Sequence, residues 1–295
     1  MRSDVRGRAR EYLSLRPEGL GAAWALYGCY LRSALARLLR SRTYITPGQY
    51  LGRPITVRAR GLRFAIRPHS DDLEYALPGP TRSMRRWFRP GPGEKVIDVG
   101  AHNGRFTLQA ARAGARVLSF EPNPGHADRL RQNLRLNQVT DVEFHATAAG
   151  PDYGRGRLEV PAVGEPLAPR APPWFSAAGR SLAQVPRREI EVVVEPLDGV
   201  LRDPGWSGPL QWLLIDAEGS EAMVLEGASH TLRRTEQVLV EVVRGPSADT
   251  CRRLLARAGL MVVAREREGD VTEYWWARRD PTPVQLPSLV PRYAG

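Results

Sequence analysis

The sequence predicts an α/β fold: a Rossmann-like, mostly parallel sheet with helices on both faces and an antiparallel last strand pair, preceded by an N-terminal helix and a β-hairpin. Three observations lead to this prediction. Strand and helix patterns alternate from residue 95 onward, which favours a parallel sheet. Glycines and acidic residues gather where the predicted strands end. A Pro/Gly-rich break at residues 89–93 separates this part of the chain from a differently patterned beginning.

The composition is that of a folded protein. Of the 295 residues, 42% are hydrophobic and 25% are charged, which excludes a collagen-like or wholly disordered chain. The two cysteines, Cys29 and Cys251, lie far apart, which excludes a disulfide framework and a cysteine-rich metal site. No apolar run has the length of a membrane span and no secretory signal is recognisable, so we expect a cytoplasmic protein.

The first 45 residues form a basic N-terminal segment. They contain nine arginines and three acidic residues, and this excess of positive charge is more than half of the net charge of +11. Apolar side chains at helical spacing predict an amphipathic helix over about residues 18–41: Trp24, Tyr27, Leu31, Leu35 and Leu38. Two interpretations remain open. The stripe packs on the body of the protein, or it makes a weak contact with a membrane surface or a partner, because arginines flank it.

Residues 46–92 are predicted to be a hairpin and linker, with two strands at 54–68 around Arg60-Gly61. The main domain spans 93–280 and a tail spans 281–295. The predicted strands of the main domain are 95–100, 116–121, 142–146, 190–195, 211–216 and 238–243, with 260–265 and 271–277 as the antiparallel last pair. Its predicted helices are 106–113, 126–137, 197–201, 220–227 and 248–258. Residues 161–188 are rich in Pro, Ala, Gly and Arg, which predicts an inserted loop.

A glycine loop follows the first strand of this domain. It reads Asp98-Val-Gly100-Ala-His102-Asn-Gly104, and two glycines four residues apart allow a tight turn from strand to helix. The dinucleotide fingerprint needs a glycine at the position of His102. Asp98 would also repel a pyrophosphate. The loop therefore favours a zwitterionic ligand with an ammonium group, such as S-adenosylmethionine.

Acidic residues end the next strands. Glu121 follows the second strand, where a carboxylate can accept hydrogen bonds from both ribose hydroxyls. Asp216, Glu218 and Glu221 follow an all-apolar strand. We expect Asp216 to point into the ligand crevice, because ligands bind at the carboxyl ends of parallel strands. Helix capping is sufficient to explain Glu221.

Together these segments resemble the FkbM-type family of class I S-adenosylmethionine-dependent methyltransferases. The resemblance covers roughly residues 64–280 and rests on DVGAHNGRFT, SFEPNP, EVVVEPLD, LLIDAEGSEAMVLEGA and VLVEV. It implies S-adenosylmethionine as methyl donor, with the methionine part at Asp98–Gly104, the ribose at Glu121, and Asp216 beside the donor amino group or the acceptor. The cofactor-binding residues it implies are Asp98, Gly100, Ala101, His102, Asn103, Gly104, Thr107, Glu121, Pro122, Asn123 and Asp216. No metal is expected.

The sequence departs from the family pattern at two positions. His102 stands where the family usually has Asn, and Leu214 stands where it often has Lys. We expect the second departure to remove a cationic group from the site.

The resemblance also implies a reaction, typically O-methylation of a hydroxyl on a sugar, glycan or natural product. A hydroxyl acceptor benefits from a general base. The catalytic candidates are Asp216, Glu218 and His102, and His145 is a further candidate for the base. We expect residues 161–188 to form a flap over the acceptor side, with Trp174-Phe175 as its apolar contact.

Two other functions remain open. The positive charge favours an RNA or protein methyltransferase, but the chain has no Asn/Asp-Pro-Pro-Tyr/Phe element for a flipped base. A Lys-Asp-Lys-Glu set for ribose methylation is impossible with Lys95 as the one lysine, so no nucleic-acid partner is expected. The other function is a non-catalytic basic module that binds a membrane or nucleic acid through residues 1–45.

Overall fold

A computed structural model describes residues 12–38, 47–77, 87–161, 187–268 and 272–279. The strands of its main sheet are β4 (Lys95–Val99), β5 (Arg116–Phe120), β6 (Val142–His145), β10 (Leu210–Ile215), β11 (Thr235–Val243), β12 (Met261–Glu268) and β13 (Thr272–Arg278). These seven strands lie in the order β12-β13-β11-β10-β4-β5-β6. The first five along the chain run parallel, and the last two are antiparallel to their neighbours. The predicted fold class is confirmed.

Helices cover the sheet and pack on it through apolar side chains. They are α3 (Arg105–Arg112), α4 (Pro124–Leu136), α5 (Leu197–Val200), α6 (Glu221–Glu226), α7 (Ser229–Arg233) and α8 (Pro246–Arg257). On one face, Leu213, Ile215 and Val240 lie in a core with residues of α6 and α8. On the other face, Trp212 and Leu239 pack with Phe106 of α3. The sheet is therefore buried on both faces, as apolar parallel strands require.

The order of the strands reverses beside β4. The chain proceeds from β4 outward through β5 and β6, then returns to form β10 and β11 on the other side of β4. The carboxyl ends of β4 and β10 therefore flank the crevice where ligands bind in this class of sheet.

A smaller N-terminal layer lies against α4. It consists of β1 (Arg16–Pro17), α1 (Leu20–Leu38), β2 (Ile55–Ala59), β3 (Leu62–Ile66) and α2 (Asp72–Ala76). The β2–β3 hairpin and its Arg60-Gly61 turn are confirmed, since both turn residues have positive φ. Asn133 of α4 accepts a hydrogen bond from the Ala65 amide and donates one to the Asn103 carbonyl, so it ties the hairpin to the glycine loop.

The predicted strand at 190–195 lies outside the main sheet. It is part of β9 (Arg187–Glu195), which pairs with β8 (Gly154–Pro161) and β7 (Ala148–Ala149) in a separate sheet. β8 and β9 form a two-stranded ribbon that ion pairs such as Arg157–Glu189 cross. Because these positions are charged, the sequence of β8 shows no clear apolar pattern, and the strand was not predicted. Pro161 pairs with Arg187, and residues 162–186, with Trp174-Phe175, lie outside the described residues.

The predicted N-terminal helix is present as α1, but its orientation differs from the first interpretation. Ala22, Leu26, Cys29 and Ser33 form the face that is buried against the body of the protein. Of the predicted stripe, Trp24, Tyr27, Leu31 and Leu35 point outward, and Trp24 is 81% exposed. No helix within the described ranges is long and apolar enough to cross a membrane.

Candidate active site

The glycine loop joins β4 to α3 at the centre of the crevice. Gly100 has φ +80°, and a Cβ placed there would lie 1.9 Å from the Asp216 carbonyl oxygen. The Asp216 amide in turn donates to the Val99 carbonyl at 2.9 Å. Gly104 has φ +85°, and its Cβ would lie 2.1 Å from Leu130 of α4. Glycine at both positions therefore lets the loop pack between β10 and α4.

Glu121 ends β5 and fixes the loop from the other side. Its Oε2 accepts a hydrogen bond from the His102 amide at 2.8 Å, and its Oε1 accepts one from the Asn123 amide at 2.8 Å. Each carboxylate oxygen has a second lone pair, so the residue can still accept hydrogen bonds from a ligand. Pro122 and Asn123 lead into α4, and the Asn123 side chain caps that helix by accepting from the Gly125 amide.

Asp98 lies at the end of β4 in a chain of buried polar groups. Thr107 of α3 donates a hydrogen bond to its Oδ2 at 2.6 Å and is bonded in turn to Ser119 at 2.8 Å. Burial raises the pKa of Asp98 to about 7, although the hydrogen bonds from Thr107 act to lower it. A cation placed beside such a buried carboxyl would stabilise its ionised form and lower its pKa.

Asp216 lies directly after β10, half-buried in the crevice. Asp216 lies beside Glu241 of β11, because Ile215 pairs with Val240 in the parallel register, and the interaction of the two carboxyls favours the protonated form of Asp216. Burial raises the pKa of Asp216 well above its usual range, the charge of Glu241 adds to this, and the charge of Arg105 opposes it. Glu218, two residues later, is exposed and has a φ of 46°.

Three aromatic rings are stacked beside the loop. His102 lies between Tyr75 of α2, with ring centroids 3.6 Å apart, and His126 of α4, with centroids 3.7 Å apart. Burial lowers the pKa of His102 well below its usual range, so its ring is neutral. Burial also acts to lower the pKa of His126, but the charges of Glu121 and Asp71 outweigh it and leave the pKa raised.

Asp71, His102 and His126 also offer potential metal ligands within 4.8 Å of one another. The rings of His102 and His126 are tilted by 43° to one another, and a cluster of potential ligands does not by itself show that an ion is bound. The expectation that donor binding needs no metal therefore stays a prediction.

Other candidates lie apart from this cluster. The ring nitrogens of His145 face Glu195 at 3.0 Å and Glu143 at 3.3 Å. Glu221 is fully buried and accepts a hydrogen bond from the Gly219 amide at 2.6 Å. Leu214 is buried in the apolar core beneath α3, and the expectation that leucine at this position removes a cationic group from the site stays a prediction.

Sequence reasoning did not single out Glu241, Tyr75, Asp71 or His126. Glu241 could have been found, because Ile215 pairs with Val240 in parallel β10 and β11, which places Asp216 beside Glu241. Asp71 and Tyr75 come from the N-terminal layer, whose contact with the loop has no local sequence signal.

The crevice fits S-adenosylmethionine. Among the described residues, the side chains of His102 and Asn103 are buried with no hydrogen-bond partner, and such groups are usually satisfied by a ligand or water. Asp98 has the raised pKa that an ammonium group would offset. Glu121 Oε1 also faces His126 Nδ1 at 3.7 Å, so Oε2, which accepts from the His102 amide, has the lone pair that a ribose hydroxyl could use. These residues would hold the methionine part and the ribose of the donor.

Comparisons with known proteins agree with this geometry. The model of the methyltransferase FkbM domain matches residues 98–259, more than half of the chain. A 60-residue stretch is 38% identical to 23S rRNA (uracil(1939)-C(5))-methyltransferase RlmD of Hahella chejuensis, covering 20% of this chain and 14% of that protein. The RlmD of Alkalilimnicola ehrlichii is 28% identical over 167 residues, covering 45% of this chain and 35% of that protein.

The chain thus spans about a third or less of the length of these two relatives. Among solved structures, Aeropyrum pernix fibrillarin with bound S-adenosyl-L-methionine superimposes with a TM-score of 0.43 at 10% identity, covering 75% of this chain and 80% of that one. Because the family model matches more than half of its length, the chain belongs to the FkbM methyltransferase family, which uses S-adenosylmethionine.

Proposed function

We propose that this methyltransferase acts on a hydroxyl oxygen of a sugar, glycan or natural product. The observation that carries the proposal is the pair of neighbouring carboxyls, with Asp216 directly after β10 and Glu241 beside it on the adjacent strand β11. A hydroxyl must lose a proton as its oxygen is methylated, and the pair offers an acceptor beside the predicted donor site.

S-adenosylmethionine supplies a methyl group that is already activated on a sulfonium. The protein's part is to hold the acceptor hydroxyl in line with that methyl and to take up its proton. Positioning of this kind lowers barriers by several kcal/mol, and a placed base contributes roughly 10²–10⁴ in rate. The ionised member of the Asp216–Glu241 pair accepts the proton. Glu218 is too exposed to be the first choice, and His102 is enclosed by two rings.

Uracil methylation, the reaction named for the two RlmD relatives, is less well supported by the residues of this chain. Carbon 5 of uracil is a poor nucleophile, and addition of a thiolate to the ring is a common way to activate such a carbon. Cys29 and Cys251 are both buried, and burial raises their pKa values to about 12 and about 11. Neither thiol is suited to that role.

The test is a methyl-transfer assay with S-adenosylmethionine carrying a deuterated methyl group. A panel of glycosides, phenols and an rRNA transcript is offered, and mass spectrometry locates the label. We expect label on a hydroxyl oxygen. With that acceptor, Asp216→Asn should lower kcat/KM by at least about tenfold, which is about 1.4 kcal/mol.

Glu221→Gln serves as the matched control, since it removes an acid from the same segment outside the crevice. It should keep near-normal turnover, and thermal melts of both variants establish that they fold. Label on an RNA base, or a fully active Asp216→Asn beside an inactive but folded Glu221→Gln, would contradict the proposal.

A further inference from the structure

Helix α1 is apolar on two opposite faces. One face is the buried row through Leu26 described above. The other is a row that we call the outer stripe, whose members are all exposed, by 47% to 83%: Leu20, Trp24, Tyr27, Leu31 and Leu35. At 100° per residue these two rows are centred on opposite sides of the helix. The inner row anchors α1 to the protein, so the outer stripe contributes nothing to that packing.

An outward apolar row of this length is unusual on a protein surface. The 19 residues of α1 extend about 28 Å. Large apolar patches that face solvent mark surfaces that contact a partner or a membrane. Tryptophan and tyrosine beside leucine is also the composition that favours the boundary between lipid headgroups and acyl chains.

The charges around the outer stripe indicate which kind of surface it meets. Residues 20–38 contain no acidic residue. Arg16 is exposed on β1, and Arg32 is exposed on α1. The Arg53 guanidinium lies against Gly21 in the first turn of α1. α1 also lies within residues 1–45, which carry a net positive charge. An apolar row flanked by arginines complements a surface that is apolar within and anionic at its rim.

We propose that α1 lies on a membrane surface containing anionic lipids, with the outer stripe inserted among the headgroups. Trp24 and Leu31 occupy the centre of the contact, and Arg16, Arg32 and Arg53 pair with lipid phosphates. An RNA would need cations, not leucines, along the middle of the contact. The inner row keeps the helix docked, so the enzyme binds without unfolding.

Sedimentation with vesicles tests this proposal on the full chain. We expect binding to vesicles of phosphatidylcholine with phosphatidylglycerol, weaker binding to phosphatidylcholine alone, and a loss of binding as salt is raised. Trp24→Ser with Leu31→Ser should lower the vesicle partition coefficient by at least about tenfold. The matched control is Met223→Ser with Met261→Ser, which removes two half-exposed apolar side chains elsewhere and should leave binding unchanged.

Both pairs of changes are on the surface, so thermal melts should stay near the wild-type value. The proposal is overturned if the wild-type protein ignores anionic vesicles or if the control pair loses binding equally. It is also overturned if light scattering shows self-association that only the stripe variant abolishes, because a second copy then covers the stripe. The proposal is overturned as well if the wild-type protein binds RNA but not vesicles and the stripe variant no longer binds that RNA.

Discussion

At the scale of single residues, we expect Asp98 to couple donor binding to pH. Burial raises its pKa from 3.8 to about 7 in the protein alone. An ammonium beside it would restore the ionised form, so binding below about pH 7 should release a proton. We expect the affinity for S-adenosylmethionine to fall by up to about tenfold per pH unit as the pH drops from 7 towards 6.

Calorimetry in two buffers of different ionisation enthalpy counts the released proton. Asp98→Asn should bind more weakly and show little pH dependence in this range. A wild-type affinity that does not change between these pH values would remove Asp98 from the ammonium contact.

Glu221 provides a second pH-dependent effect, on stability. Burial raises its pKa from 4.5 to about 7, so between these values the folded protein holds a proton that the unfolded chain has released. The free energy of unfolding therefore falls as pH rises through this range, by about 1.4 kcal/mol for each unit of the pKa shift. Glu221→Gln cannot titrate, so its stability relative to the wild type should increase from pH 5 to pH 7.5.

Urea unfolding of both proteins at the two pH values measures this difference. A stability difference that stays constant with pH would show that Glu221 is ionised in the folded protein throughout.

Single residues also show how far the sequence could lead. Asp98, Glu121 and Asp216 were predicted as site residues because each lies at the end of an apolar strand, and the carboxyl ends of parallel strands share one edge. Tyr75 could not be located in this way, because it reaches His102 only through tertiary packing of α2. The burial of Glu221 was likewise missed, since a short helix start looks the same in sequence whether it is exposed or covered.

At the scale of elements, the turn from β4 to α3 depends on Gly104. Its φ of +85° and the 2.1 Å approach to Leu130 leave no room for a Cβ. Gly104→Ala should therefore destabilise the protein by about 1–3 kcal/mol, the range for overpacking in a well-packed core. The matched control is Gly28, an exposed residue inside α1, where an added Cβ would meet nothing within 4 Å.

Gly28→Ala should raise stability by about 0.5–1 kcal/mol, because alanine favours a helix interior. Chemical unfolding of both variants checks the pair. Equal effects of the two changes would mean that the loop tolerates a side chain and does not approach α4 this closely.

Elements with apolar periodicity were predicted within a few residues of their observed bounds. Strand β9 was predicted in part, as 190–195, but its partner β8 was not, because exposed charged residues such as Arg157 interrupt an apolar pattern there. The sequence left open which face of α1 is buried. Its apolar residues fill both faces, so the pattern alone could not show which one is buried.

At the scale of the whole molecule, the candidate site combines two parts of the chain. The matched family domain supplies Asp98, Glu121 and Asp216. The N-terminal layer, which precedes the match, supplies Tyr75 and Asp71. The domain boundaries at 45, 92 and 280 stay a prediction, but the contact of α2 with the glycine loop means that the layer helps to shape the crevice.

The most direct test of the site is a calorimetric titration of the whole protein with S-adenosylmethionine, with and without a chelator. We expect one site, the same affinity with the chelator, and an affinity at least about tenfold lower for Glu121→Gln, because each hydrogen bond to a charged acceptor contributes about 1.5–3 kcal/mol. Glu191→Gln, which changes an exposed strand glutamate, should bind like the wild type. Unchanged binding by a folded Glu121→Gln, or no binding by the wild-type protein, would contradict the assignment of this crevice.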